Sequence, residues 1–363
     1  MANPEKVERL IRSDIRAIKA YMPIEPTDIL SQRIQIPAEK VIKLDGNENL
    51  YGCSPRVKEA LAEHDYHLYP DPEQRALRKA LEKYTGIDSK YIISGSGSDE
   101  LIDLILRLFI KPDDKVINCP PTFGMYPFST DVCGGKTAKI PRKQDFSVDI
   151  EAIKKAIDKR TKVIFIASPN NPSGDITAEP DILELLKANI VVVIDEAYHE
   201  FSRMTVAPLV PNYPNLIVLR TFSKWAGLAG LRVGYGIFPA NLVGHLMKIK
   251  QPYNVNVAAQ IAALESLRDL PYLQSTIKAI ISERERLLTM LAELGWLKVY
   301  PSQANFVLCS VLRGNAKIIH QELQRRGIFI RYFDTPELQD CLRISIGKPE
   351  HTEALIAALK ELN

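Results

Sequence analysis

Three unbroken apolar runs limit what this chain can fold into: Val163-Ile164-Phe165-Ile166-Ala167, Ile190-Val191-Val192-Val193-Ile194 and Leu216-Ile217-Val218-Leu219. Each has the length of a strand, and none alternates apolar with polar residues. A strand with one wet face needs that alternation. A strand without it is buried on both faces. Between such runs lie stretches with helical spacing, such as Leu101, Ile102, Leu104, Ile105 and Leu108 in a helix expected over 100–110. Further strands are expected at 91–94 and 115–118. The pattern predicts an α/β fold, with a mostly parallel sheet covered by helices.

The chain of 363 residues is long enough for two domains. Residues 1–45 read as an arm or part of the smaller domain, with a helix over 7–20 followed by Pro23, Pro26 and Pro37. Residues 46–245 read as the large domain, and the linker falls near 240–255. Long helices are expected over 242–290. After 297 the pattern changes to short strands at 299, 306–308, 328–330 and 341–345 around a helix at 315–326, with a last helix over 350–361. Residues 246–363 therefore read as a smaller α+β domain.

Composition excludes more than it selects. With 46% hydrophobic residues, 25% charged residues and a net charge of +3, nothing favours nucleic acid or an anionic membrane as partner. No apolar run approaches the ~20 residues that span a bilayer. Residues 1–6 lead into a charged amphipathic stretch, unlike a secretory signal. The five cysteines are scattered without Cys-x-x-Cys spacing, so reduced thiols in a cytoplasmic compartment are expected, with no metal site.

In an open α/β sheet, ligands gather at the carboxyl ends of the strands. The polar punctuation of this chain falls there repeatedly. Ser94-Gly95-Ser96-Gly97-Ser98-Asp99-Glu100 joins a strand to a helix, and its N–H groups suit an anion. Pro120-Pro121-Thr122-Phe123-Gly124-Met125-Tyr126 offers Phe123 for stacking on an aromatic ring. In Ser168-Pro169-Asn170-Asn171-Pro172-Ser173-Gly174, Asn171 is an amide donor for a phenolic oxygen. Asp195-Glu196-Ala197-Tyr198 puts a carboxylate at the end of a buried strand, where it needs a partner such as a protonated pyridine nitrogen. Thr221-Phe222-Ser223-Lys224, with Arg232 beyond it, combines an amine suited to a Schiff base with hydroxyls and a guanidinium suited to a phosphate. Each segment has an ordinary alternative: a helix cap at Ser98 or Asp99, packing for Phe123, a plain turn at 168–174, a structural salt bridge for Asp195, a surface role for Lys224. Their joint order is what ordinary packing does not explain.

On these motifs the chain resembles the fold-type-I pyridoxal-phosphate aminotransferases. The similarity runs from Tyr21 to the last helix and also includes Leu44-Asp45-Gly46-Asn47-Glu48-Asn49, Tyr69-Pro70-Asp71, the stretch 227–236, Gln251-Pro252-Tyr253-Asn254, Asn305-Phe306 and the stretch 341–347. The 120–126 run and the arginine motif around Arg343 point to the histidinol-phosphate branch. The resemblance implies pyridoxal 5′-phosphate bound covalently to Lys224, which also moves the proton during transfer. It implies that Asp195 pairs with the pyridine nitrogen, that Asn171 and Tyr198 contact the phenolic oxygen, and that Phe123 stacks on the ring. Gly97, Ser98, Asp99, Thr221, Ser223 and Arg232 would hold the cofactor phosphate. Tyr69 would reach the phosphate of a neighbouring subunit, making the active unit a homodimer. Arg343 would bind the carboxylate of the amino donor, with Tyr21, Asn171, Asn305 and Arg331 near the substrate. The implied substrates are histidinol phosphate and glutamate or 2-oxoglutarate.

The chain departs from the family pattern in places. Leu50 and Cys53 stand where prolines are common, His199 where an aliphatic residue is usual, and Trp225 is unusual beside Lys224. Aromatic amino acid transamination and, further off, threonine-phosphate decarboxylation are the competing readings on the same scaffold. A transcription regulator built on this fold would need a DNA-binding segment before Asp45. A nicotinamide dehydrogenase would need a third glycine in the 95–100 loop.

Overall fold

The structure, a computed structural model, describes residues 7–21 and 23–362. The reading of residues 1–6 falls outside them. In chain order the strands are β1 (Ile42–Leu44), β2 (Ile92–Gly95), β3 (Lys115–Asn118), β4 (Lys136–Lys139), β5 (Thr161–Ala167) and β6 (Val191–Asp195). There follow β7 (Leu216–Thr221), β8 (Gly234–Ile237), β9 (Leu297–Val299), β10 (Phe306–Val311), β11 (Ile328–Tyr332) and β12 (Cys341–Ser345). They form a seven-stranded sheet of order β2-β8-β7-β6-β5-β3-β4 and a five-stranded sheet of order β1-β11-β12-β10-β9.

In the larger sheet β4, β3, β5, β6 and β7 run parallel. Strand β8 runs antiparallel to both β7 and β2. The unbroken apolar runs have the expected cause. Val192 and Ile194 of β6 join an apolar cluster on one face, while Val191 and Val193 join a second cluster on the other. Ile164 and Ile166 divide from Val163 and Phe165 in the same way. With core on both sides, no position is left for a polar residue. The helix Gly97–Phe109 covers one face through buried Leu101, Ile102, Leu104, Ile105 and Leu106. Each such side chain contributes roughly 1.5–3 kcal/mol on burial.

The smaller sheet takes its edge strand β1 from the segment that precedes the large sheet, and β1 pairs in parallel with β11. The other pairings in this sheet are antiparallel. The helix Leu270–Glu293 packs against it with Leu273, Ile277, Ile280, Leu287 and Leu291 buried, a helical spacing.

Two local expectations differ from the structure. The helix expected over 7–20 is broken, with helical turns at 7–8 and at Ser13–Ala17 separated by a turn, and none of these residues is buried. A short helix without a packed face lacks the tertiary contacts that stabilise most helices. Strands β4 and β8 carry no apolar run. Strand β4 is a polar, partly exposed edge. Strand β8 is Gly-Tyr-Gly-Ile because a Cβ on Gly234 would lie 2.7 Å from the Ser98 nitrogen and 2.8 Å from the Arg220 oxygen. Close backbone approach, not strand propensity, selects that glycine. Among the described residues no helix is long and apolar enough to cross a membrane.

Candidate active site

A cavity of about 750 Å³ opens where β3, β5, β6 and β7 end, and residues of β11 and β12 close its far side. Most of the residues singled out in the sequence meet on its wall. Ser98, Asp99, Phe123, Asn171, Asp195, Tyr198, Thr221, Ser223, Lys224 and Arg232 come from the large-sheet side, and Arg331 and Arg343 from the small sheet. Tyr21 reaches it from the arm, its ring edge-on to Phe128.

Lys224 lies three residues past the end of β7. Its Nζ donates to the Gly46 carbonyl at 3.0 Å. Burial, and next the charge of Arg343, lowers its pKa to about 8. Asp195 ends β6 and is 4% exposed. Tyr126 donates its hydroxyl to Oδ2 at 2.7 Å and the Ala197 N–H donates to Oδ1 at 3.1 Å. Burial raises the Asp195 pKa to about 6. The next residue, Glu196, turns away to pair with Arg220 at 2.9 Å, both buried. That pair ties the loop after β6 to β7 and holds Asp195 at the cavity.

Tyr198 accepts a hydrogen bond from Asn47 Nδ2 at 2.9 Å, and burial raises its pKa to about 12. Asn171 Oδ1 accepts from Arg343 Nη1 at 2.6 Å, which leaves its NH₂ as the donor end. Arg343 also donates to the Asp45 carbonyl, and its guanidinium lies over the rings of Phe306 and Phe333. Burial lowers its pKa to about 10.

Across the cavity, the start of helix Gly97–Phe109, the Thr221 and Ser223 hydroxyls (3.0 Å apart) and Arg232 form an anion cradle. Arg232 Nη2 pairs with Asp99 at 2.9 Å. Gly97 has φ +77°, and a Cβ there would lie 2.5 Å from Arg232 Nη2, so glycine is what lets the guanidinium approach the loop.

Three residues expected to contact cofactor or substrate are not on this wall. Gly97 lies under Arg232. Asn305 stands behind the wall, donating to the Asn47 carbonyl at 2.9 Å, and so supports the residue that bonds Tyr198. Tyr69 points outward, 82% exposed and stacked on Tyr253. Trp225 is buried and stacked on Tyr84, and His199 Nδ1 lies 2.9 Å from the Met204 carbonyl, away from the cavity. Leu50 and Cys53 pack against the core.

Sequence reasoning assigned no role to Tyr126 or Asn47. Both sit inside motifs that it quoted. Their partners lie far along the chain, and only the positive φ that Asn47 adopts (54°) has a local signal, an asparagine after glycine.

The donor set fits a ring that carries a cationic nitrogen and a phosphate, as pyridoxal phosphate does. Asp195 is a buried carboxylate with no ion pair among the described residues, and the anion cradle shares its cavity. Burial makes the charge of such a carboxylate costly, and a neighbouring cation offsets that cost.

The sequence pattern of aminotransferase class I and II matches residues 39–359. A histidinol-phosphate aminotransferase of Dehalococcoides mccartyi is 48% identical over 357 residues, 98% of each chain. One from Roseiflexus castenholzii is 49% identical over 99% of this chain and all of its own. The crystal structure of histidinol-phosphate aminotransferase from Sinorhizobium meliloti in complex with pyridoxal 5′-phosphate superimposes with a TM-score of 0.89 at 27% identity, over 97% of both chains. This chain belongs to the class I and II aminotransferases.

Proposed function

We propose that this protein is a histidinol-phosphate transaminase, acting in histidine biosynthesis. It would exchange an amino group between L-histidinol phosphate and 2-oxoglutarate, giving imidazole-acetol phosphate and L-glutamate. The observation that carries the reaction class is that Asp195, buried without a cationic partner among the described residues, shares one cavity wall with Lys224. The substrate follows from relatives 48–49% identical along their whole length.

Bound there, pyridoxal phosphate supplies an electron sink that stabilises negative charge at the substrate Cα. Lys224 would hold it covalently. With its pKa lowered by burial to about 8, the Lys224 amine gives up its proton far more readily than a free lysine, and it would take a proton from Cα and return it. Asp195 would pair with the ring nitrogen and keep it protonated. Tyr198 and the Asn171 amide would donate to the phenolic oxygen, and Phe123 would cover the ring face. The loop at Gly97, Ser98 and Asp99, with Thr221, Ser223 and Arg232, would take the phosphate.

Arg331 and Arg343 would take the substrate anions. A guanidinium pairs bidentately with a carboxylate or a phosphate, so one pocket serves both a dicarboxylate and a phosphorylated imidazole. Tyr21 and Asn171 would border that pocket, and Asn305 would act through Asn47. Tyr69, exposed in the single chain, would complete the site of a second copy in a homodimer. The five cysteines are unpaired, which suits a reducing cytoplasm.

The test is a half-reaction. The holoenzyme is mixed with L-histidinol phosphate without a keto acid, and the cofactor absorbance is followed. Rapid conversion to the amino form of the cofactor is expected. Conversion by phenylalanine or tyrosine, with none by histidinol phosphate, would move the protein to the aromatic aminotransferases.

A further inference from the structure

Beneath the anion cradle lies a second polar cluster that does not touch the cavity. At its centre is Asn254. Its Nδ2 donates to the Ser94 carbonyl at 3.2 Å and to Glu100 Oε2 at 2.7 Å. Its Oδ1 accepts from Gln74 Nε2 at 2.8 Å and from Lys250 Nζ at 3.0 Å. Both donors and both lone pairs of one amide are thus engaged. Glu100 Oε2 also accepts from the Ser96 N–H at 2.6 Å, and Gln74 Oε1 accepts from the Ser94 N–H at 3.2 Å.

Three backbone groups of the loop that starts the cradle, at Ser94 and Ser96, are therefore fixed from below. Lys250 is buried and donates further to the carbonyls of Pro72 and Gln251, at 3.2 and 3.0 Å. The same cluster thereby joins the loop 94–99 to the segment after Tyr69. An amide with every valence filled is fixed in place, and a loop tied to it keeps its N–H groups aimed without ordering cost at the moment of binding.

We propose that Asn254, with Glu100 and Gln74, is a positioning residue that sets loop 94–99 so that its N–H groups meet the phosphate of the cofactor. This rests on the reading that the loop and Arg232 bind that phosphate. Asn254 acts through the loop and touches neither cofactor nor substrate.

The experiment compares two probes on the full-length chain: pyridoxal phosphate, and pyridoxal, which lacks the phosphate. Dissociation constants are measured by absorbance titration, with thermal unfolding as the check on folding. Asn254→Ala is expected to weaken pyridoxal phosphate on the order of tenfold and pyridoxal by less than about twofold. Glu100→Ala should behave the same way. Glu100→Gln, which keeps an oxygen for the Ser96 N–H, should stay within about threefold of the parent. Asn254→Ala that weakens both probes equally, or neither, overturns the proposal. If that variant does not fold, the two Glu100 variants decide, and equal behaviour of the pair overturns it. Arg232→Ala separates the layers. Should it lower phosphate discrimination while Asn254→Ala and Glu100→Ala do not, only the positioning role fails. Should it leave discrimination unchanged, the phosphate reading of the loop fails with it.

Discussion

Arg331 stands directly opposite Arg343 in the antiparallel pairing of β11 and β12. Cross-strand partners share a face of the sheet, and like charges so placed repel. The charge of Arg331 contributes to lowering the Arg343 pKa, after burial. Both residues line the cavity. Two cations held together against their mutual repulsion make a site for an anion, which is how a carboxylate or a phosphate would gain from entering it.

The two arginines should separate on mutation. Arg343 also supports Asn171 and the Asp45 carbonyl. Arg343→Ala is therefore expected to raise the KM for glutamate about 10- to 100-fold and to lower stability by about 1–3 kcal/mol. Arg331→Ala should raise the substrate KM with little change in stability, because it removes a repulsion along with the ligand contact. Steady-state kinetics beside thermal unfolding reads both. Unchanged glutamate kinetics in Arg343→Ala would take that residue out of the substrate site.

Lys224→Ala is expected to lower turnover by more than about 10³-fold and to remove the absorbance of covalently held cofactor. The anion cradle and Asp195 remain, so the cofactor should still bind. Absorbance after gel filtration, with an activity assay, checks this. Turnover near the parent rate would end the assignment of Lys224 as the covalent and proton-carrying residue.

The parts of the fold that could be read in the sequence are those where one physical cause acts locally. Strands β5, β6 and β7 are apolar at successive positions because both faces are core. Strands β4 and β8 escape such reading, one being a polar edge and the other carrying Gly234 for close backbone approach to Ser98 and Arg220. The site divides the same way. Lys224 and Asp195 stand out because each follows an apolar run. Tyr126 and Asn47 do not, because their partners lie 69 and 151 residues away. Asn305 shows the limit of motif reading, which names residues without saying which side of a wall they occupy.

The raised pKa of Asp195 makes a pH-dependent prediction. The shift from the ordinary 3.8 to about 6 corresponds to about 3 kcal/mol. Because the folded-state value is the higher one, the cost of the buried charge is absent below pH ~4 and fully present above pH ~6. Asp195→Asn keeps a polar partner for Tyr126 and removes the charge. Without cofactor, the variant should be more stable than the parent by about 1–3 kcal/mol at pH 8, with the advantage fading as pH falls toward 4. Cofactor affinity should fall instead. Urea unfolding across pH reads the first effect. A pH-independent difference would mean that burial of the charge is not its source.

Tyr69 and Tyr253 stack with ring centroids 4.5 Å apart, yet Tyr69 is 82% exposed and Leu68 beside it is 66% exposed. We propose that a second copy of the chain covers this exposed apolar and aromatic group. If a second copy covers it, the Tyr69 hydroxyl becomes a donor to that copy's cofactor phosphate. Tyr69→Phe should then weaken cofactor binding about 10- to 100-fold in the dimer, the range for a hydrogen bond to a charged group, and change nothing in a dilute monomer. Sedimentation at several concentrations, paired with cofactor titration, distinguishes the cases. A monomer with full activity would contradict the shared site, because no other part of the chain would then need the hydroxyl of an outward-facing tyrosine.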